Sequence, residues 1–161
     1  MALGDALAVS LMNKRGFKKE DFASFHPGGS LGKRLFVKAL DLSKRTNLPM
    51  LTMDTTIREA IGVMTDGKLG TVLLMDGKKV TALLSDGDLR RALLDRDFSL
   101  DKKAYDYATK NPKSAVADDL LASDALKIIE ENKIQLLLLT DASGSLEGVL
   151  HIHALVEAGI S

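Results

Sequence analysis

Residues 55–94, TTIREAIGVMTDGKLGTVLLMDGKKVTALLSDGDLRRALL, return in altered form at 119–159 as DLLASDALKIIEENKIQLLLLTDASGSLEGVLHIHALVEAG. The copies come into register at an offset of about 65 residues, and self-similarity on this scale means that one structural unit is built twice. Each begins with an amphipathic helix, its apolar stripe carried by Ile57, Ala60, Ile61 and Met64 in the first copy and by Leu121, Ala125, Ile128 and Ile129 in the second. An apolar strand, a polar turn, a second strand and a second helix follow. The turns, Asp76-Gly77-Lys78 and Asp141-Ala142-Ser143-Gly144, are made of residues that accept hairpin geometry. A short extended piece precedes each copy, PMLTM at 49–53 and KSAVA at 113–117, so the predicted order is β-α-β-β-α twice. Between the copies, DFSLDKKAYDYATKNP at 97–112 is charged, ends in Asn-Pro and reads as a connector.

The join between the last strand and last helix of the first copy is LLSDGDLRR, 83–91. Ser85 followed three residues later by Asp88 has the form of a capping box, in which a hydroxyl takes a free helix N–H and a carboxylate answers back. The same two groups also suit a ligand: a carboxylate accepts from both hydroxyls of a cis-diol, so capping and binding are compatible. In the second copy His151 stands where Ser85 stands and Ala154 where Asp88 stands. Alanine has no acceptor to offer, so a second cleft must act differently, through the imidazoles of His151 and His153. Two histidines at i and i+2 on a strand share a side, but a third metal ligand is missing, and they read as surface or phosphate-contacting groups rather than a metal site.

Composition narrows the classes. In 161 residues, 22 Lys and Arg balance 22 Asp and Glu, which leaves no net field to gather nucleic acid or an anionic membrane. Cysteine is absent, which excludes disulfides, thiolate chemistry and Cys-type zinc sites and is compatible with a cytoplasmic origin. The longest apolar run, Leu136 to Leu139, is far too short to cross a bilayer. The opening MALGDALAVSLMNKRG reads as a helix crowded on one side by Leu3, Ala6, Leu7, Val9, Ser10 and Leu11 and stopped by Gly16, not as a signal peptide. A chain that opens in mid-helix without an N-cap is expected to be a piece of a longer protein.

The duplicated unit, with Ala82, Leu83, Leu84, Ser85, Asp88 and Leu89 at the end of its last strand, resembles the cystathionine-β-synthase (CBS) domain pair, or Bateman module, over residues 48–160. The resemblance implies an α/β (α+β) fold of tandem CBS domains and a ribose clamp made by Ser85 and Asp88. Thr52 and Met53, in the stretch lining the same cleft, are its other expected ligand contacts, and His151 and His153 serve a possible second cleft. It also implies that the repeats pack about a pseudo-twofold axis and that two chains self-associate as a flat dimer through Leu89, Ala92, Leu93, Leu155, Val156 and Ile160.

Residues 2–35 belong to neither repeat. GDALAV, RGF and DFASFHPGGSLGKRL look like the closing part of the sugar isomerase domain of D-arabinose 5-phosphate isomerases, which precedes a CBS pair in that family. HPGGSLGKRL imitates a P-loop, but Pro27 stands where the first glycine belongs and Arg34 where the hydroxyl belongs. The resemblance makes His26 a catalytic residue of the intact parent, suited to proton transfer near neutral pH. It implies an organisation of 1–36, a helical remnant of the isomerase domain; 37–98, the first CBS domain; 99–110, a linker; and 111–161, the second. Cut from their domain, residues 2–25 are expected to be disordered or docked on a neighbouring chain. The expected role is a regulatory, nucleotide- or nucleotide-sugar-sensing pair of an enzyme that interconverts D-ribulose 5-phosphate and D-arabinose 5-phosphate for 3-deoxy-D-manno-octulosonate and lipopolysaccharide synthesis. No metal or resident cofactor, no nucleic acid and no membrane partner is expected, and the parent is expected to be a homo-oligomer. A non-binding assembly module of the same enzyme, a nucleotide-sensing module of another protein, and a fragment with residual catalysis remain the alternatives.

Overall fold

A computed structural model describes residues 10–12, 14–16, 21, 30–67 and 69–160. Gly16 takes φ +62, the left-handed value with which helices end, as expected of it. Most of residues 1–29, including the predicted apolar stripe from Leu3 to Val9, lies outside the described residues.

Helix α1 (Ser30–Phe36) leads through a short 3-10 turn (Ala39–Leu42) into strand β1 (Met50–Thr52). Helix α2 (Ile57–Gly67) opens on a capping box in which the Thr56 N–H and hydroxyl both donate to Glu59 at 2.9 Å. It buries Ile57, Ala60 and Met64 but leaves Ile61 on the solvent side, so the apolar stripe is one residue narrower than the sequence suggested. Strands β2 (Thr71–Asp76) and β3 (Lys79–Ser85) form the first hairpin, and helix α3 (Asp86–Ala92) follows without a spacer. Strand β5 (Ser114–Val116), helix α5 (Ala122–Glu131), strands β6 (Leu136–Thr140) and β7 (Leu146–His151) and helix α6 (Ile152–Glu157) repeat the order. In both units the first strand pairs parallel to the second and the third returns antiparallel. Both hairpins shift register at the same place, Leu74/Met75 and Leu139/Thr140.

The stretch read as a connector, with its linker at 99–110, is more than that. It carries helix α4 (Ala104–Tyr107) and strand β4 (Thr109–Lys110), and β4 becomes the fourth strand of the first sheet by pairing with Leu83 and Ala82. Ala104 and Ala108 are buried in the first unit's core with Ala60, Val72, Leu74 and Leu84. Conversely, Ala39 is buried in the second unit's core among Ala122, Ile129, Leu137 and Leu155. The backbone bonds are reciprocal: the Ala39 N–H donates to Leu120 O and the Ala104 N–H to Thr55 O, both at 2.8 Å. Each unit thus lends the segment before it to the other. The sheets meet through Leu73, Leu138 and Val149, which form a third buried cluster between the two cores.

One expectation about exposure is corrected by the packing. Ala92, Leu155 and Ile160 do not lie on an open apolar face but inside the fold: Ala92 is buried at the end of α3, and the chain turns at Gly159 so that the Ile160 N–H bonds back to Leu155 O. Leu93, Leu94 and Val156 are the large apolar side chains left exposed on this side, at 64%, 84% and 63%. No helix among the described residues is long and apolar enough to cross a membrane.

Candidate functional site

At the end of β3 the capping box is fully formed. Ser85, extended at φ -105, accepts from the Asp88 N–H, while Asp88 Oδ2 accepts from the Ser85 N–H at 2.9 Å and the Ser85 hydroxyl at 2.6 Å. Asp88 Oδ1 takes the Thr109 hydroxyl at 3.2 Å and the Arg91 guanidinium. Only 5% of Asp88 is exposed. Burial pushes its carboxyl up, but the Ser85 hydroxyl and N–H and the Arg91 charge outweigh that, and the group sits below the ordinary carboxylate range. Both oxygens are therefore engaged before any ligand arrives. The Arg91 side chain is 71% exposed, so its ion pair is the contact that solvent already weakens.

Thr52 and Met53 lie at the other end of this sheet. Strand β1 runs parallel to β2 and places Thr52 beside Met75, whereas Ser85 pairs with Thr71. Four residues along a strand separate the two rows by about 13 Å. The end of the PMLTM stretch that approaches the Ser85 side is its beginning, where Pro49 O accepts from the Leu73 N–H. The Thr52 hydroxyl instead lies 3.2 Å from that of Thr55.

At the equivalent join in the second unit, His151 caps α6: its Nδ1 accepts from the His153 N–H at 3.2 Å, and the two rings meet edge to face with centroids 4.7 Å apart. Burial, and then the neighbouring His153, hold His151 below the usual histidine value. An open cleft of about 410 Å³ is lined by Leu69, Gln135, His151 and His153. Leu69 precedes β2 and Gln135 precedes β6, so both units contribute to its wall. Its size is in the range of small-molecule sites. Among the described residues, no three His, Asp or Glu side chains cluster in a way that could hold a metal ion. His26 lies outside the described residues.

The structure brings the sequence candidates Ser85 and Asp88 together at the first join and His151 and His153 at the second. It adds Arg91 and Thr109 as partners of Asp88 and Leu69 and Gln135 as walls of the second cleft, none of which the sequence reading named. Arg91, three residues after Asp88 on one helix face, was the signal within reach. Thr109 arrives on the exchanged segment, and nothing local announces it.

Two interlocked β-α-β-β-α units, with an open cleft at the strand-to-helix join of the second, define a duplicated α/β module. The chain belongs to the CBS domain family, whose model matches residues 37–95 and 104–161. It is 46% identical over 161 residues to an uncharacterized protein of Helicobacter pylori strain J99, and 41% identical over 162 residues to the arabinose 5-phosphate isomerase KdsD of Pseudomonas aeruginosa. Each alignment takes in 99% of this chain and 49% of the relative, so the chain spans about half the length of the curated relatives it matches. Among solved structures, the CBS domain protein PAE2072 of Pyrobaculum aerophilum, complexed with AMP, superposes with a TM-score of 0.66 at 25% identity, over 74% of this chain and 90% of that one.

Proposed function

We propose that this chain is the ligand-sensing portion of a cytoplasmic sugar-phosphate isomerase that interconverts D-ribulose 5-phosphate and D-arabinose 5-phosphate, and that its paired domains take a nucleotide. The observation that carries the reading is the 41% identity with KdsD over 99% of the chain, which includes the stretch before residue 37 that the CBS match leaves out. The AMP complex of the Pyrobaculum relative supports the ligand class. In the first cleft, a ribose diol takes over the Asp88 oxygen now held by Arg91, while Ser85 keeps the helix capped. A nucleotide sugar made later in the 3-deoxy-D-manno-octulosonate pathway is a natural feedback effector for such a site. His26 serves proton transfer only in the intact, oligomeric parent, which supplies the rest of the substrate cleft.

The test is titration calorimetry of this chain with AMP, ATP, CMP and the cytidylyl sugar, beside an isomerase assay. Saturable heat with at least one of them and no turnover is the expected result. No heat with any refutes sensing, and turnover by the chain alone refutes the division of labour. The filled Asp88 carboxylate and the exposed Leu93, Leu94 and Val156 favour a second reading, an assembly module that binds nothing. Dimers by light scattering with no nucleotide heat would establish it.

A further inference from the structure

Helix α1 is attached to one unit only. The Lys33 ammonium donates to Ala158 O at 2.8 Å, just past the end of α6, and the Ser123 hydroxyl donates to Arg34 O at 2.9 Å. Val37 O then accepts from the Ala122 N–H at 2.8 Å. All three partners belong to the second unit. The first unit repeats the last of these ties, with the Ile57 N–H donating to Lys102 O at 2.9 Å, but not the lysine: the residue that matches Lys33 by the repeat offset is Phe98, and helix α3 runs out into the exposed Leu93 and Leu94. Helix α6 is short, six residues or about 9 Å. One end of it is His151, in the wall of the cleft, with its Nδ1 spent on the His153 N–H. The carbonyl that Lys33 holds is at the other end.

We propose that occupancy of the His151–His153 cleft, rather than of the Ser85–Asp88 cleft, is what reaches the N-terminal segment, with helix α6 as the strut and Lys33 as the positioning residue that reads it. This rests on the nucleotide-sensing reading and specifies its regulation. A ligand that draws on His151 Nδ1 competes with the cap it gives to His153, and one that turns the ring through Nε2 displaces the same cap, so either alters the first turn of a helix that has fewer than two turns. The last turn, and the carbonyl at Ala158, cannot stay indifferent. Coupling is reciprocal, so whatever Lys33 does to α6 must also appear as a change in affinity at the cleft. Lys33 is the first charged side chain of α1, so the same contact fixes the direction in which the chain leaves toward residue 30.

The experiment is hydrogen exchange of the full chain with and without AMP, with calorimetry on the same samples. AMP is expected to change protection at residues 33–37 in the parent and not in His151→Ala/His153→Ala. Lys33→Met should change AMP affinity by about fivefold or more, and Lys33→Arg, which keeps a donor at that point, should restore it. His153→Ala alone, which leaves the His151 ring in place, covers the case in which the double variant unfolds: the response should shrink with it. AMP heat with no change at 33–37, or a response that survives loss of both histidines, overturns the strut. If AMP gives no heat and another nucleotide does, the same exchange is run with that nucleotide; an absence of heat with AMP, ATP, CMP and the cytidylyl sugar alike overturns the sensing reading and the strut with it, and calorimetry separates the two failures.

Discussion

Replacing Asp88 by alanine removes the acceptor of two Ser85 groups and of the Thr109 hydroxyl at once. The Ser85 N–H is half-buried and has no second acceptor in this geometry, and leaving such a donor unmatched costs about 1–3 kcal/mol. Arg91 loses a partner but is mostly exposed, so that pair adds only about 0–1 kcal/mol. A loss of about 1–4 kcal/mol follows, which for a chain of this size is a fall of roughly 2–16 °C in Tm. Asp88→Asn keeps an oxygen for the Ser85 N–H and should lose about half as much. Circular dichroism melts at pH 7 read both. The charge adds a pH signature: the folded carboxyl lies below its unfolded value, so its stabilisation is complete above about pH 4 and is lost as pH falls through the folded value. The gap between parent and Asp88→Asn should therefore close in acid. Calorimetry with AMP then separates the two uses of the carboxylate, because a ribose clamp lost in Asp88→Ala weakens binding by about 1.5–3 kcal/mol, whereas a lost cap leaves affinity nearly unchanged. A Tm for Asp88→Ala within about 2 °C of the parent would refute the energetic argument, since an orphaned half-buried N–H cannot cost so little.

Other consequences are as direct. Because His151 is held below its ordinary value, the unfolded chain binds more protons as pH drops through about 6.5, and stability should fall there; His151→Gln, measured by denaturant titration at pH 7 and 5.5, should remove part of that loss. A Cβ on Gly148 would stand 2.6 Å from Ser43 Oγ and 3.3 Å from Ser43 Cβ, so Gly148→Ala should cost about 1–3 kcal/mol, and adding Ser43→Gly should return most of it in a double-mutant cycle. In the intact isomerase, His26→Ala should lower turnover by about 10²- to 10⁴-fold, and unchanged kinetics would remove that histidine from the chemistry.

The repeat, the hairpins and the strand-to-helix joins were legible because each is written locally: alternating or continuous apolar runs, Gly and Asp at turns, and a hydroxyl three residues before a carboxylate. What escaped was whatever depended on chain direction or on distant pairing. Thr52 and Met53 are expected at the Ser85 end as part of the PMLTM lining, but a parallel β1 carries them toward the opposite end of the sheet. Leu155 and Ile160 looked available for a partner on a short terminal helix, and only the backbone turn at Gly159 shows that they face inward. The exchanged segments did leave a trace. Lys38-Ala39-Leu40-Asp41-Leu42 and Lys103-Ala104-Tyr105-Asp106-Tyr107 match at the same offset as the rest, with a small residue at the position that becomes fully buried in the other unit. A two-residue strand and a single helical turn are too short for periodicity to reveal, so the match is visible only when the two copies are aligned past their obvious limits.

That exchange decides whether the two units can act separately. Sequence matching assigns residues 104–110 to the second CBS domain, yet their alanines complete the first core and their strand extends the first sheet. Thr109, on that strand, also supplies a hydrogen bond to the Asp88 carboxylate, so the first join contains a residue lent by the second domain. The cleft at the second join borrows in the other direction, through Leu69. Neither join is the property of one domain. A group bound at either join would bear on side chains that are anchored in both cores, and the packed interior between them passes displacement on rather than absorbing it. Two copies that each closed their own core would be two independent bodies. With each copy closing the other's core, they form a single body with two unlike joins, one closed by a carboxylate and an arginine and the other open and lined with imidazole.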